Sequence, residues 1–127
     1  EGKTVSMELD MENRNLILDV AVPLGLILNE LINNSLEHAF PDGKSGNIRI
    51  SFRTDESGNN QLLYTDDGIG TEETIDYENP STLGFQLIRT IALKQLSGYI
   101  DFRTGSGFSC FISFPDNLYS LRIHDEE

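Results

Sequence analysis

The chain has 127 residues and a formal net charge of −12, with 21 acidic against nine basic residues. That length supports one compact domain, and so acidic a balance argues against nucleic acids and anionic membranes, which select basic patches. No apolar run approaches the roughly 18 residues of a membrane span and no signal-peptide pattern is present, so the expectation is a cytoplasmic domain without membrane contact.

Residues 5–9 (VSMEL) and 15–20 (NLILDV) read as two short strands joined through a polar turn at 10–14. Pro23 then opens a long apolar-rich segment, PLGLILNELINNSLEHAF, too long for an ordinary strand and read as a helix. It should stop near Phe40, because Pro41, Asp42 and Gly43 follow. Ile48, Ile50 and Phe52 alternate with polar residues over 47–54, the pattern of a half-buried strand. After the turn DESGNN, residues 61–65 form the next strand and lead into DDGIG.

From Thr71 to Thr82 the sequence is acidic, polar and aperiodic, which predicts a loop long enough to be a lid. Helical spacing resumes through Leu87, Ile88, Ile91, Ala92 and Leu96, predicting a helix over 83–96 with Gly98 as its C-terminal cap. Strands at 99–103 and 108–114 flank the turn Gly105-Ser106-Gly107. The single cysteine, Cys110, excludes an internal disulfide and alternates with apolar neighbours as a buried small hydrophobe does. Residues 1–115 are thus read as the domain and 116–127 as a charged, frayed tail. The element order predicts a two-layer α+β sandwich, its sheet mixed but mostly antiparallel and its helices on one face.

Three constellations carry chemistry. On the first helix Glu30, Asn34 and His38 recur at i, i+4 and i+8, with Glu37 beside them, next to an apolar arc of Leu24, Leu28, Leu31 and Ile32. The amide oxygen of Asn34 suits Mg²⁺, and the carboxylate of Glu30 suits positioning or deprotonating a nucleophile. Asp66-Asp67-Gly68-Ile69-Gly70 directly follows a strand. Glycines there allow backbone to approach a ligand, and a strand-end carboxylate can accept a hydrogen bond from an amino group such as that of adenine. Ser81-Thr82-Leu83-Gly84-Phe85 opens the second helix, whose N-terminus offers N–H donors to phosphate. Taken singly, each also fits a plain structural role: a solvated stripe, an Asp-Gly turn, a capped helix start.

In this order and spacing the three resemble the nucleotide-binding boxes of the GHKL superfamily of ATPases. Glu30 and Asn34 match its E-x-x-x-N helix motif. Asp66, Gly68 and Gly70 match its D-x-G-x-G, which identifies Asp66 rather than Asp67 with the adenine-binding aspartate. Thr82-Leu83-Gly84 matches its G-x-G lid end, with threonine where the first glycine is common. PLGLILNELINNSLEHAFP, LGFQLI and KQLSG are similar to a subfamily of two-component sensor histidine kinases, and the likeness spans roughly residues 5–115.

The resemblance implies an ATP-dependent phosphotransferase with ATP and Mg²⁺ as ligands. Asn34 would hold the metal, and Glu30 would orient or activate the acceptor. Asp66, Gly68, Gly70, Thr82, Leu83 and Gly84 would line the nucleotide. His38 would touch adenine or ribose, and Ser109 would make a water-mediated contact to adenine. The phosphoacceptor histidine would lie in a dimerisation domain of the same full-length protein, outside these residues, and a response regulator would be the downstream partner. His38 and His124 are the two histidines present, and neither occupies a dimerisation helix.

Three positions depart from the pattern. Glu37 stands where these kinases often carry a phosphate-binding lysine, Thr82 replaces a glycine, and Phe108-Ser109 replaces a Gly-Thr step. Three other readings remain open on sequence alone: an anti-sigma-factor-type serine kinase of the same superfamily, a non-catalytic nucleotide-sensing module of the same fold, and a generic α+β interaction domain whose motifs are fortuitous.

Overall fold

The computed structural model describes residues 5–11, 16, 18–40, 45–69 and 83–115. The expected lid, Gly70, Thr82 and the tail with His124 lie outside these residues.

Five strands form one sheet in the order β1-β2-β3-β5-β4. They are β1 (Val5–Met11), β2 (Gly46–Thr54), β3 (Asn59–Asp66), β4 (Tyr99–Gly105) and β5 (Gly107–Pro115). Helix α1 (Leu18–Asn34) runs on into a π-helical turn at Ser35–Ala39, and α2 (Leu83–Thr90) into another at Ile91–Gln95. Both helices cover one face of the sheet. Ile48, Ile50, Phe52, Leu62, Tyr64, Phe102, Cys110, Ile112 and Phe114 point inward from the strands. They meet Leu24, Ile27, Leu31, Ile88, Ile91, Ala92 and Leu96 of the helical layer. The period-2 pattern read from residues 47–54 is the physical origin of that division, since successive strand residues face opposite sides.

The second expected strand, at 15–20, does not form. Leu18, Asp19 and Val20 open α1 instead, five residues ahead of Pro23. A short apolar run such as Leu16-Ile17-Leu18 fits either period, and here it continues into the helical stripe. Pro23 is therefore buried inside α1 rather than in its first turn. There it removes an N–H that would have bonded to the carbonyl of Asp19.

This change also alters the topology. Among the described residues β1 has no hairpin partner. It pairs in parallel with β2 from Val5↔Gly46 to Met11↔Phe52, and α1 is the crossover between them. The other three pairings are antiparallel, as expected. Opposite charges bridge the parallel pair on the solvent face, with Arg49 3.1 Å from Glu8 and Arg53 2.6 Å from Asp10. Such exposed pairs hold register more than they stabilise.

Gly98 closes the second helical segment differently from the expected cap. Its N–H donates to the carbonyl of Ala92 at 2.8 Å, but the left-handed residue is Ser97, with φ of 55°. Gly98 is required for close packing. A Cβ there would stand 2.4 Å from the carbonyl oxygen of Ser113.

Candidate nucleotide site

The inward face of β3 ends in Tyr64 and Asp66, two residues apart and therefore on the same side of the sheet. Asp66 is only 8% exposed, an unusual burial for a carboxylate, so its hydrogen bonds decide whether it is tolerated. The Ser35 hydroxyl donates to Oδ2 at 2.6 Å, and the backbone N–H of Gly68 donates to Oδ1 at 3.1 Å. Each oxygen is thus held by one donor and keeps lone-pair capacity for another.

Asp67 behaves differently. It is exposed, and its carboxylate accepts the backbone N–H of Asn47 at 2.7 Å and the Asn47 side-chain amide at 2.8 Å. It ties β3 to the start of β2, which leaves Asp66 as the inward-facing member of the pair.

Gly68 is fixed by contact with α1. A Cβ on it would lie 2.4 Å from Cβ of Ala39 and 2.5 Å from the Ala39 carbonyl oxygen. That same oxygen accepts the N–H of Ile69 at 3.0 Å. The glycine of the Asp-Gly step thus lets the β3 exit lie directly on the π-helical end of α1. π-Helical turns recur at functional sites, and this one places Ser35 and Ala39 against Asp66 and Gly68.

Gly107 performs the corresponding service on the other side. Its φ is +122°, and a Cβ would stand 2.4 Å from the carbonyl oxygen of Asp66. Gly107→Ala combines strain with a backbone clash, so it is expected to destabilise the domain by about 2–4 kcal/mol and to displace Asp66. Urea denaturation checks the first effect and nucleotide titration the second. Unchanged stability would show that the β4–β5 turn relaxes freely.

The start of α2 meets the middle of α1. A Cβ on Gly84 would lie 3.1 Å from Oε2 of Glu30, 3.7 Å from Nδ2 of Asn34 and 3.8 Å from its Oδ1. Two constellations 50 residues apart in sequence therefore converge, with half-buried oxygen donors beside a helix start. Phe85 anchors that start: its ring packs edge-on to Phe102 at 5.2 Å and tilted against Phe108 at 5.8 Å. Phe108 in turn meets Tyr64 edge-on at 6.4 Å. This aromatic series links α2 to the Asp66 end of β3.

His38 sits one helical turn beyond Asn34 on the π-helical segment, its side chain 76% exposed and its Nε2 3.6 Å from Oε2 of Glu37. Leu83 is the first residue of α2. Ser109 and Asp66 lie on neighbouring strands but face opposite sides of the sheet. The register pairs Asp66 with Phe108 and Thr65 with Ser109, so Ser109 occupies the alternate, solvent-side row. It borders a shallow cleft of about 300 Å³ with Thr65, Asp66, Arg103 and the β4–β5 turn. The position paired with Asp66 is occupied by Phe108, which contributes packing.

Ser35 and Tyr64 were not singled out from the sequence. The signal was there: a serine directly after Asn34, and a tyrosine two residues before Asp66 on the same strand face. Ser35 is 2% exposed and Tyr64 0%. Their hydroxyls contact each other, and the Tyr64 hydroxyl also donates to the carbonyl of Leu31 at 3.0 Å. Burial pushes the Tyr64 phenol far above its ordinary range, so it is neutral and can donate.

Comparison with known proteins decides the family. Residues 19–118 match the model of the histidine kinase-, DNA gyrase B- and HSP90-like ATPases. The chain belongs to this family. It is 28% identical over 125 residues to blue-light-activated histidine kinase 2 of Erythrobacter litoralis, an alignment covering 96% of this chain and 35% of that protein. It is 32% identical over 87 residues to the sensor histidine kinase PdtaS of Mycobacterium tuberculosis, covering 67% of this chain and 17% of that one.

The histidine kinase domain of a blue-light-activated kinase from Erythrobacter litoralis superposes with a TM-score of 0.81 at 23% identity. That match covers 93% of this chain and 58% of the solved one. The chain therefore spans about a third or less of the curated relatives' length and corresponds to the kinases' nucleotide-binding catalytic domain. These relatives favour the histidine kinase reading over the serine kinase and the non-catalytic module.

Proposed function

We propose that this chain holds Mg-ATP between α1, the β3 exit and the start of α2, and donates the γ-phosphoryl to a histidine of a dimerisation domain in the same protein. The phosphoryl group would then pass to an aspartate of a response regulator. The observation that carries the reading is the convergence of a buried, donor-held carboxylate, Asp66, with Glu30, Asn34 and Gly84 on the helical face of the sheet.

In this scheme Asp66 accepts a hydrogen bond from the adenine amino group. Gly84 and the α2 start, with Gly70, Thr82 and Leu83 before it, give backbone access to the phosphates. His38 contacts adenine or ribose. Glu30 orients the incoming imidazole, whose nitrogen lone pair forms the new N–P bond as the bridging O–P bond breaks and ADP leaves. Positioning and charge stabilisation account for catalysis, as in other phosphoryl transfers. ATP supply makes the cytoplasm the compartment of this reaction. Among the described residues no helix is long and apolar enough to cross a membrane.

The donors present fit Mg²⁺. Asn34 offers a hard amide oxygen, with the Glu30 carboxylate alongside. Among the described residues no group of three or more His, Cys, Asp or Glu side chains could form a closed protein cage. Mg²⁺ is usually held by one or two protein oxygens together with phosphate oxygens and water. When bound it supplies charge neutralisation at the phosphates.

Asn34→Ala is therefore expected to remove most of the Mg²⁺-dependent part of ADP affinity, a factor of about ten, while leaving metal-free binding nearly intact. Calorimetry with Mg²⁺ and with chelator separates the two. Equal losses in both conditions would refute a metal role for Asn34.

A further inference from the structure

The buried hydroxyl pair beneath Asp66 has an internal logic that fixes the direction of its hydrogen bonds. Four polar groups are in line: the Leu31 carbonyl, the Tyr64 hydroxyl, the Ser35 hydroxyl and the Asp66 carboxylate. The two ends, a carbonyl and a carboxylate, are acceptors. Two protons must therefore serve three contacts. Ser35 gives its single proton to Oδ2 of Asp66, so its own oxygen accepts from Tyr64. The Tyr64 proton is shared between Ser35 and Leu31.

A serine whose proton is committed in this way cannot rotate to other partners, and burial excludes water that could replace it. The N–H of Gly68 holds the opposite carboxylate oxygen, so the plane of the Asp66 carboxylate is fixed from both sides.

We propose that Ser35, backed by Tyr64, is a positioning residue for base selection: it orients the Asp66 carboxylate toward the exocyclic amino group of the purine. This rests on the reading of Asp66 as the adenine acceptor. Ser35 itself touches no ligand and acts only through Asp66. The sequence position has a further consequence. Ser35 directly follows Asn34, so one turn of α1 serves both ends of the nucleotide: Asn34 toward the metal and phosphates, Ser35 toward the base.

The test uses two ligands that differ only at the amino group: ADP, and the analogue purine riboside diphosphate, which lacks it. Four proteins are titrated by calorimetry: the unaltered chain, Ser35→Ala, Ser35→Thr and Asp66→Asn. A positioning role predicts that Ser35→Ala weakens ADP about 5- to 20-fold while leaving the analogue within about twofold, so that discrimination between them falls. Ser35→Thr, which keeps the hydroxyl, should restore discrimination even if its extra methyl lowers thermal stability.

A purely structural role for Ser35 would lower both affinities together, and that result would overturn the proposal. So would unchanged discrimination in a folded Ser35→Ala protein. The underlying reading fails separately: if Asp66→Asn also leaves discrimination intact, Asp66 is not the base acceptor. If Asp66→Asn collapses discrimination and Ser35→Ala does not, only the positioning role is lost.

Discussion

Asp66→Asn is expected to weaken ADP binding about 30- to 150-fold while leaving the domain folded, the largest single-residue effect on affinity in this molecule. The change removes one acceptor oxygen and the charge but keeps the shape. Its structural consequence depends on how the new amide turns. With its oxygen toward Ser35, its NH₂ would oppose the N–H of Gly68, donor against donor, where Oδ1 now accepts at 3.1 Å.

With its oxygen toward Gly68, the NH₂ meets the Ser35 hydroxyl, which can accept. Ser35 then donates to Tyr64, and Tyr64 donates to the Leu31 carbonyl, so every proton in the line has an acceptor. The second arrangement is satisfied throughout, and the fold tolerates it. The adenine amino group, however, now faces a donor. Calorimetry with circular dichroism as a folding control decides the matter. An Asp66→Asn protein that binds ADP as the unaltered chain does would remove the adenine role from β3.

The sequence disclosed the chemistry more fully than the connectivity. Strands β2 to β5 follow from alternation that any half-buried strand must show, and each was foreseen within a few residues. The start of α1 was not. Residues 15–20 are apolar enough for either period, and only the parallel pairing of β1 with β2 resolves them. Pro23 reinforced the error, because proline favours a first helical turn and here sits buried in an interior one.

At the site, Glu30, Asn34, Asp66, Gly68 and Gly84 were legible because backbone approach and oxygen donors restrict residue type. Ser109 pairs with Thr65 and so lies on the face opposite Asp66, a distinction that residue type alone does not reveal. Ser35 and Tyr64 were passed over because a serine in a helix and a tyrosine in a strand are ordinary taken singly. Only the packing of α1 on β3 makes them a line.

The isolated chain incubated with labelled ATP is expected to carry no acid-labile label, and to transfer label when the histidine-bearing dimerisation helices of its parent protein are supplied. Transfer to an imidazole requires that nitrogen and the γ-phosphorus meet in near-attack geometry, and that arrangement supplies much of the rate. In the proposed arrangement the nucleotide runs along α1. Its base end lies at Asp66 and Gly68, which contact Ser35 and Ala39. Its phosphate end lies at Glu30, Asn34 and Gly84.

His38 belongs to the base end. It lies four residues beyond Asn34 and eight beyond Glu30, about one and two helical turns further along the chain. Its side chain is 76% exposed beside Glu37. Glu37 next to it would also repel a triphosphate, so neither distance nor charge favours His38 as acceptor.

Supplied helices restore the missing nucleophile, and label should then appear on them alone. Asn34→Ala should reduce that label at least tenfold, because the metal-held phosphate loses its protein ligand. Robust acid-labile label on His38 or His124 of the isolated chain would make the domain its own acceptor. Label on His38 would place the γ-phosphate beyond Asn34, at the end assigned here to the base.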